Sequence, residues 1–289
     1  MSFFIEILKS VVFGIVQGIT EWLPISSTGH LILINTIMPM HVFEDAAVNT
    51  AFWDMYKVVI QFGSILAVLL LYFNRLNPFS KAKTEKQRNR TWRLWVKIIV
   101  ATIPAGIAGF LLDDLIDAKL STPFVIAITL ILYGVLFIWI ENRESNVTTS
   151  SIESMSYKKA GKIGCFQALA LIPGTSRSGS TILGSVLLGC SRGTATEFSF
   201  FMAIPVMFGA SLLKLIKMAK MDIVIGFKGW LILAIGMIVA FIVSVIVIRS
   251  FLKYIRKHDF KIFGVYRIIL GVLLLVLTFM GVLPSGVVG

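Results

Sequence analysis

Acidic residues are scarce in this sequence. Fifteen Asp and Glu stand against 27 Lys and Arg in 289 residues, only 15% of the chain is charged, and 57% is hydrophobic. Soluble globular domains carry about 25% charged residues, so an ordinary soluble fold is excluded. Cysteine is nearly absent. Cys165 and Cys190 lie in apolar stretches without CxxC or Cys/His spacing, which gives no basis for a disulfide framework or a structural zinc site and leaves core packing as the expected role of both. Of three histidines, only His30 falls inside an apolar segment, and His41 and His258 read as loop residues. The first segment carries Glu6 and Lys9 and lacks an Ala-x-Ala cleavage pattern, so it is expected to belong to the mature fold.

What is present in abundance is apolar length. With 22 Phe, 6 Trp and a mean hydropathy of +0.88, the composition is the opposite of a disordered chain. A membrane-crossing helix needs roughly 20 apolar residues, and runs of that order occupy 56–73, 94–112, 123–140, 198–216, 229–248 and 263–281. Two further apolar stretches, 1–38 and 161–190, are interrupted by Pro24-Ile25-Ser26-Ser27-Thr28-Gly29 and by Pro173-Gly174-Thr175-Ser176-Arg177-Ser178-Gly179. Each stretch reads as a re-entrant pair of half-helices. The expected fold is an all-α polytopic membrane protein with six spans and two such pairs. No basic-aromatic recognition motif accompanies the positive charge, so the expected partner is the lipid bilayer and not nucleic acid.

Charge placement orients the chain. Segments 74–97, 249–261 and 141–162 together hold 17 Lys and Arg, and six alternating spans put all three on one side, the cytoplasm by the positive-inside rule. The opposite side receives the acidic segments 41–55 and 113–122, and also 217–228, whose three lysines fit the rule poorly.

The two halves also resemble each other. Gly14-Ile15-Val16-Gln17 followed by Pro24-Ile25-Ser26-Ser27 aligns, with one gap, to Gly164-Cys165-Phe166-Gln167 followed by Pro173-Gly174-Thr175-Ser176. Within one membrane domain spanning 1–289, residues 1–140 and 150–281 form two repeats. Three spans per half is an odd number, so the second repeat is inverted, an architecture that places its site near the midplane between broken helices.

Chemistry concentrates at the two interruptions. Gln17 and Glu21 share a helix face, and an ionisable residue in an apolar segment marks a functional site unless it reaches interfacial water. Ser26 and Ser27 could be helix caps or reactive hydroxyls. His30 can serve as acid, base or nucleophile. Around Arg177, the hydroxyls of Ser176, Ser178 and Thr181 and the free N–H groups of a helix start describe a cradle for phosphate or diphosphate. The alternative is a small-residue packing surface, which would leave the arginine unpaired. Glu197 could pair with Arg192 or Arg177 or complement its helix dipole. Trp22, Trp53, Trp92, Trp95 and Trp230 read as interfacial anchors.

These motifs resemble the undecaprenyl-diphosphate phosphatase family, the bacitracin-resistance membrane proteins: Gln-x-x-x-Glu at 17–21, Pro-x-Ser-Ser-Thr-Gly-His at 24–30 and Pro-Gly-x-Ser-Arg-Ser-x-x-Thr at 173–181. The resemblance implies hydrolysis of undecaprenyl diphosphate to the monophosphate, recycling a lipid carrier for cell-wall synthesis with a divalent cation, Mg²⁺ or Ca²⁺, assisting. It implies a site open to the extracytoplasmic side of the bacterial cell membrane, and a homodimer is a further expectation. Carried over residue by residue, it implicates Glu21, Ser27, His30 and Arg177 in catalysis, Glu21 in metal binding, and Gln17, Ser26, Thr28, Gly174, Ser176, Ser178 and Thr181 in holding substrate. The family's first motif begins with Glu or Gln, and Gln17 removes one candidate metal carboxylate. His30, Ser27 and water stay open as nucleophiles. A transporter or flippase of a polyprenyl phosphate is the alternative that inverted broken helices also suit.

Overall fold

The computed structural model describes residues 3–144, 146–221, 225–283 and 286, with the side chains of Asp113, Asp114 and Asp117 outside that description. Within the described residues eleven helices follow one another: α1 Phe3–Thr20, α2 Ser27–Ile37, α3 Ala46–Leu71, α4 Phe73–Leu76, α5 Glu85–Leu120, α6 Pro123–Glu141, α7 Tyr157–Leu169, α8 Arg177–Leu187, α9 Arg192–Lys220, α10 Gly226–Ile255 and α11 Lys261–Phe279. Among the described residues there is no strand, only an isolated bridge between Thr149 and Cys190.

Among the described residues, seven helices are long and apolar enough to cross a membrane: α1, α3, α5 as far as Leu112, α6, α9, α10 and α11. Six of them match the six expected spans, with α3 and α11 each ending two residues before the expected 73 and 281. The seventh, α1, belongs to the interrupted stretch 1–38. Its apolar run continues without a break for 18 residues, because the proline that interrupts this stretch comes only at position 24.

Helix boundaries correct the expected loops. Segment 113–122 is mostly the last turns of α5, segment 41–55 contains the start of α3, and much of the basic segment 74–97 lies on the first turns of α5. The α5 start is fixed by a capping box, in which Thr84 Oγ1 accepts from the Gln87 N–H and the Gln87 side chain accepts from the Thr84 N–H. Such reciprocal capping satisfies two otherwise orphaned donors.

Close packing is made where glycine removes the Cβ. Gly14 and Gly18 of α1 lie against the backbone of α10 at Gly236 and Ala240, so these helices run parallel. Gly164 of α7 lies against Ala101 of α5, with Leu171 further on beside Gly109, again a parallel pair. Gly134 meets Gly264 and Gly271 meets Ala127, which makes α6 and α11 antiparallel.

The three basic segments come together at one end of the bundle. Arg75 bridges to Glu153 at 3.0 Å and also to Glu197, and Lys97 donates to the Ile152 and Glu153 carbonyls. Partial burial by itself raises the Glu153 carboxyl, but its own backbone N–H and Arg75 outweigh that and hold it below the usual range. Arg192 pairs with Glu141, whose carboxylate also accepts from the Phe260 N–H. Glu197 is therefore partnered by Arg75 and not by Arg192 or Arg177. That ion pair crosses from α4 to α9, a contact between segments far apart in the chain.

Candidate active site

The two breaks are built alike. Ser26 precedes α2 and Ser176 precedes α8, at φ 72° and 71°, and each hydroxyl accepts from the N–H three residues on, at Gly29 and at Gly179. A left-handed conformation costs a non-glycine residue about 1–3 kcal/mol and persists where its surroundings enforce it. Proline a few residues upstream ends each preceding apolar run, and the serine then caps the new helix.

Between the breaks the side chains converge. Glu21, buried just beyond α1, accepts from Gln17 Nε2 at 3.0 Å and from Ser27 Oγ at 2.9 Å through Oε2. Its Oε1 accepts from Arg177 Nη2 at 3.0 Å. The other Arg177 nitrogen donates to the Ser199 carbonyl at 2.7 Å and to Ser199 Oγ at 3.2 Å. Ser199 in turn shares a 2.7 Å hydrogen bond with Thr181. The guanidinium lies 5.6 Å from the Trp22 ring. Arg177 is thus paired, with Glu21 supplying the counter-charge.

The remaining candidates occupy the rim. Ser178 Oγ donates to the Leu23 carbonyl at 3.1 Å and lies 3.2 Å from Ser176 Oγ, tying the second break to the first. His30 is held at both nitrogens, Nδ1 by the Ser26 carbonyl and Nε2 by the Tyr266 hydroxyl, each at 2.7 Å. Thr28 is half-buried in the first turn of α2. Gly174, at φ 89°, presents its carbonyl to Arg267.

Arg267 is the residue that sequence reasoning missed. It is fully buried on α11 and donates to three carbonyls, Pro24 at 3.0 Å, Gly174 at 2.9 Å and Thr175 at 2.8 Å. Both breaks therefore hang on one guanidinium. Among the described residues it forms no ion pair, and its plane lies 5.3 Å from Tyr133, whose hydroxyl accepts from Ser180. An arginine within an apolar run was the available signal.

Two tryptophans expected at the interface are core residues instead. Trp22 and Trp53 are buried, while Trp92 and Trp230 are exposed. Trp22 sits beneath Arg177 because the break turns it inward. Cys190 is buried as expected, whereas Cys165 is exposed on the outer face of α7.

An apolar groove of about 570 Å³ lies beside the first break, lined by Ile19, Leu23, Ile25, Ile262 and Phe263 together with His30 and Tyr266. Long aliphatic chains are accommodated by surfaces of this kind, with a few polar groups fixing orientation.

Comparison with known proteins places the chain in a family. A family model described as Bacitracin resistance protein BacA matches residues 10–273. Curated relatives include Undecaprenyl-diphosphatase 1 of Clostridioides difficile, 53% identical over 278 residues, 96% of this chain and 97% of that protein. Undecaprenyl-diphosphatase of Streptococcus mutans is 51% identical over 97% of this chain and 99% of its own length. The same-named protein of Enterococcus faecalis is 49% identical over 94% and 97%. With a family match across most of its length and relatives at this identity, the chain belongs to the bacitracin resistance protein BacA family.

Proposed function

We propose that this chain is an integral membrane undecaprenyl-diphosphatase, hydrolysing undecaprenyl diphosphate to undecaprenyl phosphate and inorganic phosphate and thereby conferring bacitracin resistance. The observation that carries the reading is the meeting of Glu21, Ser27 and Arg177 between two helix breaks, with an apolar groove beside the first break. It joins a hydroxyl, a carboxylate and a guanidinium to a surface suited to a lipid tail. The names of the relatives supply the substrate.

Arg177 and the N–H groups at the start of α8, with Ser176, Ser178 and Thr181, hold the diphosphate and stabilise charge on the transferring phosphoryl group. Ser27 Oγ attacks the terminal phosphorus and passes its proton to Glu21 Oε2, 2.9 Å away. The bond to the bridging oxygen breaks and undecaprenyl phosphate departs. Water then cleaves the phosphoserine and releases inorganic phosphate, with Ser27 regaining its proton. This assignment leaves His30 an acid–base role.

A divalent cation fits the donor set. Gln17 Oε1 is buried without a hydrogen-bond partner beside Glu21, and a hard cation seeks such oxygens. Gln17 Oε1 and Glu21 would hold it. When bound, Mg²⁺ or Ca²⁺ would neutralise charge on the diphosphate.

The finer architecture is an inverted repeat with re-entrant pairs α1/α2 and α7/α8. It is supported by the parallel pairs α1/α10 and α5/α7, the antiparallel α6/α11 and the matched Ser26 and Ser176. With the basic end in the cytoplasm, the site faces the extracytoplasmic side of the cell membrane.

Purified protein in detergent should release phosphate from undecaprenyl diphosphate. Reconstituted protein that moves a polyprenyl phosphate across vesicles but releases no phosphate would favour the transporter reading.

A further inference from the structure

The interaction left unused by the mechanism above is the contact between His30 and Tyr266. A backbone carbonyl can only accept, so the Ser26 carbonyl fixes the proton of neutral His30 on Nδ1. Nε2 is then the acceptor, and the Tyr266 hydroxyl is its donor at 2.7 Å. The two rings lie within 3° of parallel, with centroids 5.7 Å apart. Tyr266 stands on α11 next to Arg267, which anchors both breaks, so the hydroxyl is positioned by the same element that positions the site. It also lines the groove, as does His30.

We propose that Tyr266 is a positioning residue for the reaction: its hydroxyl donates to Nε2 of the Nδ1–H tautomer that the Ser26 carbonyl sets, and so fixes where that unprotonated nitrogen points. The proposal rests on the phosphatase reading. The choice of tautomer by a partner on the other nitrogen is the usual way an imidazole is prepared for proton transfer. Tyr266 does not itself exchange a proton with substrate. Its contribution is that His30 presents a basic nitrogen, correctly aimed, once substrate displaces the hydroxyl.

Tyr266→Phe tests this, because it keeps the ring in the groove and removes only the donor. Diethyl pyrocarbonate acylates an unprotonated imidazole nitrogen that is free to react, and mass spectrometry of the peptide containing residue 30 separates His30 from His41 and His258. Acylation of His30 should become several-fold faster in Tyr266→Phe. The kcat for undecaprenyl diphosphate should fall about tenfold with KM unchanged, the scale of one lost hydrogen bond. An unchanged acylation rate at His30 would overturn the proposal, as would faster acylation with wild-type kcat. Absence of phosphate release by the wild-type protein would instead overturn the phosphatase reading. The acylation ratio would still decide whether Tyr266 holds His30.

Discussion

Glu21 and Arg177, separated by 156 positions in the chain, meet at 3.0 Å. One follows α1 and the other begins α8, so the pair exists only when both breaks are folded against each other. The arginine is nearly as buried as the carboxylate, at 11% and 5% side-chain exposure. An unpartnered charge at that depth is costly. The pairing neutralises Arg177 before substrate arrives, though its Nε is buried without a partner, and a diphosphate must compete with Glu21 for it.

Arg177→Lys should lower kcat on the order of 10²-fold or more, the scale seen when an electrostatic stabiliser is lost. Lysine keeps the charge but loses the planar fork that spans Glu21 and Ser199. The variant should fold normally, and steady-state kinetics checks the outcome. A raised KM with unchanged kcat would mean that Arg177 binds ground and transition states equally.

At the departure from the Glu-first motif, Gln17→Glu should retain activity and sharpen the response to added Mg²⁺. It makes the oxygen now left without a partner part of a second carboxylate, beside Glu21. Titration of the metal after chelation measures this, and an unchanged metal response would remove position 17 from cation binding.

The nucleophile can be trapped. When turnover of terminally ³²P-labelled substrate is quenched, label should remain on the protein, persist in His30→Ala and vanish in Ser27→Ala. Label lost in His30→Ala and kept in Ser27→Ala would transfer the nucleophile role to the histidine.

Arg267→Leu should destabilise the protein by about 3 kcal/mol or more, because the Pro24, Gly174 and Thr175 carbonyls lose their common donor while buried. A lowered Tm in detergent, together with lost activity, is the expected result. A wild-type Tm would show that the breaks are held by other contacts.

Sidedness is open to chemical labelling. With Cys165 and Cys190 replaced, single cysteines in 41–45 should react with an impermeant thiol reagent in intact cells, and those in 80–84 should not. The reverse pattern would invert the orientation.

Hydropathy and turn chemistry made much of this molecule legible. The two proline–serine interruptions announced both breaks, and polar residues they carry are among those the structure brings together. Helix ends were harder to read. The Asp-rich end of α5 looked like a loop because charge there outweighed apolar content, yet the helix continues to Leu120. Trp22 looked like an interfacial anchor because it precedes a break, and only tertiary packing turns it beneath Arg177. The Arg75–Glu197 pair joins residues 122 positions apart, a distance no local pattern reports. Arg267 was hidden by its surroundings: one cation in an apolar helix reads as part of a span until its carbonyl partners are visible.

A double-mutant cycle at Glu21 and Arg177 tests most directly whether the two breaks form one catalytic site. Phosphate release from undecaprenyl diphosphate would be compared in wild type, Glu21→Gln, Arg177→Lys and the double variant. Residues acting as a unit are strongly non-additive. Each single substitution should cost on the order of 10²-fold or more, and the double variant should be about as impaired as the worse single one. Losses that multiply, or a fully active Glu21→Gln, would contradict the account.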